Sequence, residues 1–243
     1  MTSILHQFTL FAFFQSLFLI IIIMISVTKR QQINIYLLIL VCVLMVGLIG
    51  NIGQFSLGWQ RQMKGFSEFA ILFFGPTVYL FIQSTLSEKR FSRSDLFHYI
   101  PGVIYSLIIT FYYITASNET IRERGESGEL FRVVRSLVGI GLTVNITYFV
   151  LGVLKFRELK ESLQEEVSYI LNISFAKNFL IAIGTCLLLW LTVYLISFGN
   201  NYELEINTRG FIWIAVVLIV LFIAYYQMVS PAVFQFELIS KEA

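Results

Sequence analysis

The chain has 243 residues, of which 57% are hydrophobic and only 13% charged, with 24 Phe and a formal net charge of +2. That balance excludes an ordinary water-soluble domain and points to an integral membrane protein whose first partner is the lipid bilayer. A net charge so close to zero carries no signal about nucleic acid.

A bilayer core about 30 Å thick needs roughly 20 apolar residues per helical span. Runs of that kind occur at residues 4–27, 33–55, 69–86, 97–114, 133–154, 173–197 and 211–229. The expected fold is therefore all-α, a single polytopic domain of seven transmembrane helices covering residues 1–243. The first run has no basic segment before it and its nearest positives, Lys29 and Arg30, follow it, so it reads as a retained span and not as a cleaved leader.

Short loops rich in Lys and Arg stay in the cytoplasm. With the N-terminus outside, the inner loops hold Lys29, Arg30, Lys89, Arg90, Arg93, Lys155, Arg157 and Lys160. The outer connections hold the smaller set Arg61, Lys64, Arg122, Arg124 and Arg209. This bias puts the C-terminus in the cytoplasm.

Within the third run, Pro76 has no amide hydrogen and its ring crowds the carbonyl of Leu72, so a kink or a loosened turn is expected there. Gly75 beside it permits close approach of a neighbouring helix, and Tyr79 follows one turn later. After the basic loop SEKRFSRSD, either Ser94 or Asp95 can cap the fourth span. Pro101 then falls in its first turn, where a proline costs little. His98 is expected at headgroup depth, bonding the loop or a cytoplasmic element. The outer connection SNETIRERGESGE reads as a mobile solvated loop, and Glu129 as a neighbour able to help Arg135 at the start of the fifth span.

Beyond that span, residues 155–172 place Phe156, Leu159, Leu163, Val167 and Ile170 at spacings of 3, 4, 4 and 3, which gives a helix one apolar face. The segment is either a cytoplasmic extension of spans five and six lying on its own protein or the headgroups, or a docking surface for a cytoplasmic partner. The Asn-x-Ser/Thr triplets at Asn118, Asn145 and Asn172 are uninformative.

Chemistry inside the spans is sparse. No Ser-His-Asp grouping, paired carboxylates or HExxH motif can be assembled, so an enzyme is not expected. Cys42 and Cys186 lie in apolar runs as ordinary thiols, and no zinc spacing occurs. The last span has no lysine for a retinal Schiff base, so neither metal nor cofactor is expected. Buried carboxylates of the kind a proton-coupled carrier uses are lacking, and no internal repeat supports a transporter duplication. The spans hold instead uncharged polar groups, among them Asn51, Gln54, Asn145, Trp190 and Tyr194. These serve either as interhelical glue, each worth about 1 kcal/mol or less, or together as a ligand pocket open to the outside.

The string Phe-Gly-Pro-x-x-Tyr-x-Phe at residues 74–81, then Ser84, Leu86, a basic loop and His98-x-x-Pro101, resembles the N-terminal membrane region of AraC-family transcriptional regulators of Bacteroidetes-type bacteria. The closing segment YYQMVSPAVFQ is similar as well. In that family a multi-helix membrane module precedes a cytoplasmic helix-turn-helix domain. The resemblance implies a sensor of a small molecule, a lipid or the envelope state in the inner membrane, relaying to transcription through its inner loops and C-terminal tail. After Pro231 only AVFQFELISKEA follows, with no basic recognition helix, so this chain is not expected to contact DNA itself. A truncated regulator, a standalone relative signalling through a partner, and an accessory subunit of a membrane complex are the competing readings, with a small-solute transporter as a further alternative.

Overall fold

The computed structural model describes residues 2–28, 35–52, 60–87, 91–163, 170–199 and 206–229, and among these it is helical apart from short turns. The helices are α1 (Thr2–Thr28), α2 (Ile35–Ile52), α3 (Gln60–Ser87), α4 (Ile100–Ile109), α5 (Asn118–Glu126), α6 (Glu129–Leu163), α7 (Ile170–Gly199) and α8 (Ile206–Val229). A 3₁₀ turn, Arg93–Tyr99, leads into α4, and a π-helical turn, Thr110–Ile114, leads out of it. Helices satisfy every backbone group within one segment, which is what a chain this apolar needs in hydrocarbon.

Five of these helical stretches are long and apolar enough to cross a membrane: His6–Ile25, Gly65–Ser87, Arg93–Ile114, Glu129–Glu161 and Ile173–Ser197. Ile35–Ile49 and Ala215–Tyr226 are shorter apolar helices. Within the described residues, each apolar run read from the sequence is thus helical.

α3 is the centre of the bundle and packs against α2, α4, α6 and α7, while α8 packs on α1, α2 and α7. Its membrane window is 61% buried, against 22–28% for the other four long windows. At one end of α3 the Phe81 ring meets Phe175 and Phe179 of α7 edge-on, at 6.0 and 5.4 Å between centroids. Phe175 in turn meets Phe222 and Tyr226 of α8 at 5.8 and 4.9 Å. Edge and offset pairs of this kind add about 0.5–1.5 kcal/mol each to area burial, and they lock α3, α7 and α8 together.

Two local expectations are corrected. Residues of SNETIRERGESGE form the helix α5, whose first turn is capped by the Ser117 hydroxyl accepting from the Thr120 amide at 3.0 Å. Gly128, at φ +72°, turns the chain from α5 into α6, a conformation that favours glycine. The fourth span begins at Arg93, earlier than residue 97, because the 3₁₀ turn is continuous with α4. Residues 155–163 continue the fifth span as an extension of it: α6 runs unbroken for 35 residues to Leu163. Phe156 and Leu159 pack against the chain's own core. Residues 164–169 lie outside the described residues, and Ile170 already belongs to α7.

Candidate functional site

The sequence Phe73-Phe74-Gly75-Pro76-Thr77 lies inside α3, which runs on through the proline. Pro76 cannot donate to the Leu72 carbonyl one turn back, and polar side chains bond the carbonyls on either side of it. The Thr77 hydroxyl donates to the Phe73 carbonyl at 2.6 Å. The Asn145 amide of α6 donates to the Ile71 carbonyl at 2.8 Å and to the Gly141 carbonyl of its own helix at 2.7 Å. Those two acceptors fix the orientation of the amide, so its oxygen faces Gly75. A Cβ at Gly75 would lie 2.8 Å from that oxygen and 3.0 Å from the Asn145 Cα. Only glycine lets the backbones come this close. Asn145 is 1% exposed, and its Oδ1 has no hydrogen-bond partner among the described residues.

The second half of the site is the turn Arg93–Tyr99. Ser92 is extended (φ −120°, ψ 149°) and is the N-cap in place of Ser94 or Asp95. Asp95, three residues on, accepts the Ser92 amide at 2.9 Å, as in a capping box. The same carboxylate oxygen accepts the Tyr36 hydroxyl of α2. Asp95 is 2% exposed, so a residue expected as a loop cap is a buried carboxylate joining two helices.

The neighbouring side chains reach other helices. The Tyr99 hydroxyl is hydrogen-bonded to Thr77 of α3 at 3.2 Å, and its ring stacks on Phe73 at 5.9 Å. His98, expected to bond the loop or a cytoplasmic element, turns inward to α6. Its Nδ1 lies 3.2 Å, and its carbonyl 3.4 Å, from the Tyr148 hydroxyl. Tyr79 closes a ring cluster with His98 at 5.6 Å and Tyr148 at 6.1 Å. Pro101 occupies the first helical positions of α4, as its fixed φ favours. One short turn therefore clasps α2 through Asp95, α3 through Tyr99 and α6 through His98.

The residues expected to form a ligand pocket do not all converge here. Asn145 is sealed at the α3–α6 crossing. Trp190 and Tyr194 of α7 are half-buried against the core, and a Cβ on Gly139 of α6 would lie 2.6 Å from the Tyr194 hydroxyl. Asn51 is in the last turn of α2 with its side chain outside the described residues, as is all of Gln54. Glu129, placed beside Arg135 in the sequence reading, accepts the Tyr112 hydroxyl at 2.8 Å. Sequence reasoning missed Tyr36, Thr77, Tyr99 and Tyr148. Ser92-x-x-Asp95 was the signal for the cap, but a single phenol in an apolar run gives no sign of its partner.

Chemically, the site exchanges hydrogen bonds between helices. No group of three or more His, Cys, Asp or Glu able to hold a metal ion occurs among the described residues. Comparison with protein-family models, with curated proteins and with solved structures gives no match.

Proposed function

We propose that the chain is a seven-span sensor module of a bacterial inner membrane, N-terminus outside and C-terminus in the cytoplasm. It responds to a small molecule, a lipid or the state of the envelope, and relays this to a transcriptional output through its inner loops, residues 155–172 and the C-terminal tail. The observation that supports this reading best is the clasp: Asp95, His98 and Tyr99 on one turn, each bonded to a different helix beside the basic loop.

A relay needs an element with two arrangements whose balance an input can shift. The crossing at Gly75–Pro76 and Asn145 has the required character. A buried amide oxygen without a partner costs about 1–3 kcal/mol, so a second packing that supplies one lies within reach of a modest binding energy. In this reading the clasp carries that change to the cytoplasmic face.

Deleting the gene in its host is expected to alter a defined set of transcripts. Wild-type chain restores them, while Pro76→Ala, which returns an amide hydrogen to α3 and stiffens it, accumulates to the same level and restores less than half. Full restoration by Pro76→Ala would reduce Pro76 to scaffold. A profile untouched by the deletion would dismiss the transcriptional relay.

Orientation is checked separately, in a background with Cys42 and Cys186 replaced by Ser. A membrane-impermeant maleimide is expected to label Ser92→Cys only in inverted vesicles and Ser117→Cys only from outside; the opposite pattern reverses the topology. A partner retained in fixed stoichiometry through purification would favour the accessory-subunit reading, and solute flux in liposomes the carrier.

A further inference from the structure

At the end of α4 away from the clasp, Ile104, Leu107, Ile108, Phe111, Tyr112 and Arg124 line an open groove of about 450 Å³. Its walls are apolar and bare, with Phe111 72% exposed and Leu107 52% exposed. Its mouth carries a fixed cation. The last carbonyls of a helix have no intrahelical partner, and Arg124 of α5 donates through Nη1 to the Tyr112 carbonyl at 2.7 Å. The guanidinium also lies 4.1 Å above the Tyr112 ring, and its Nε is 3.9 Å from Glu129 Oε1. Those contacts engage Nη1 and Nε, and Nη2 has no acceptor among the described residues. The two N–H groups of Nη2 leave a charged donor matched to a phosphate oxygen.

We propose that this groove seats one glycerophospholipid, with its phosphate on Arg124 and an acyl chain along α4 between Ile104 and Phe111. Exposed apolar faces elsewhere on the bundle offer a chain a surface, whereas here an oriented cation stands just beyond the end of the apolar stretch Arg93–Ile114. The distance from Ile104 to Phe111, about 10 Å along the helix axis, runs down from that cation toward mid-membrane. The seat requires a bilayer, holds whichever face of the membrane α5 occupies, and requires nothing of the relay.

Native mass spectrometry of the full chain tests it, after incubation with phosphatidylglycerol, phosphatidylethanolamine or a phosphate-free diacyl galactolipid with the same chains. One molecule of either phospholipid is expected to be retained, and the galactolipid released. Arg124→Ala should weaken retention about fivefold, the factor one Arg contributes near an anionic surface. Glu129→Gln, which removes a competing anion, should strengthen it. That gain separates a phosphate seat from a purely structural cap, which the same change would weaken. Arg122→Ala, whose side chain pairs with Glu126 in the open at 3.7 Å, should leave retention unchanged. Equal retention of the galactolipid, equal losses in the two arginine variants, or no gain from Glu129→Gln would each reduce the groove to ordinary lipid contact.

Discussion

Replacing Gly75 with Ala is expected to destabilise the bundle by about 1–3 kcal/mol, the usual cost of forcing one methyl group into a packed interface. The added carbon would meet Asn145 Oδ1 at 2.8 Å, Asn145 Cα at 3.0 Å and Tyr148 Cβ at 3.2 Å. Two of these neighbours are backbone or backbone-proximal, so the helices themselves must part. Parting them also strains the Asn145 bond to the Ile71 carbonyl. Denaturation in a graded detergent series measures the loss. Asn145→Ala alone should cost about 1 kcal/mol, and the double variant less than the sum, because removing Oδ1 relieves part of the clash. Wild-type stability of Gly75→Ala would mean that α3 and α6 do not cross this closely.

Asp95→Ala should cost about 2–4 kcal/mol, combining the loss of a cap with a buried Tyr36 hydroxyl left without its acceptor. Tyr36→Phe leaves the carboxylate its Ser92 amide but removes the phenol, for about 2 kcal/mol, since hydrogen bonds to charged groups are the stronger kind. Asp95→Asn keeps an acceptor and should fall below either. Arg93 is exposed on the same turn, and Arg93→Ala should stay within about 0.5 kcal/mol of wild type. The same detergent series ranks all four. An Asp95→Ala loss no larger than that of Arg93→Ala would show that the turn does not bind α2 to α4.

What the sequence disclosed divides along a physical line. Periodicity and composition are local, so the apolar runs, the proline in the first turn of α4 and the close-packing role of Gly75 could all be read directly. The membrane hides the next level. In a soluble protein a buried face announces itself by alternating polar and apolar positions, but here lipid-facing and protein-facing positions are equally apolar. Phe111, bare at the surface, and Phe81, fully buried, stand in indistinguishable surroundings in the sequence. The clasp was illegible for that reason: Tyr36 and Asp95 are 59 positions apart, and only the packing of α2 against the turn makes them partners. Asn145 shows the reverse case. Its polarity marked it as notable, and its two carbonyl partners assign it to holding α3 and α6 together. The helix α5 was masked because its charges resemble a solvated loop, although Ser117 at its start was a ready cap.

The unbroken run of α6 has a mechanical consequence. Its 35 residues extend over about 52 Å, well beyond a bilayer core about 30 Å thick. It crosses α3 closely around Gly141 and Asn145, and with that crossing as a fulcrum the helix acts as a rod. From Asn145 to Leu163 the arm is about 27 Å, and a tilt of about 10° at the fulcrum swings its far end by about 5 Å. A displacement too small to open any cavity among the spans thus becomes, at the tip of the rod, a movement as wide as one helical turn.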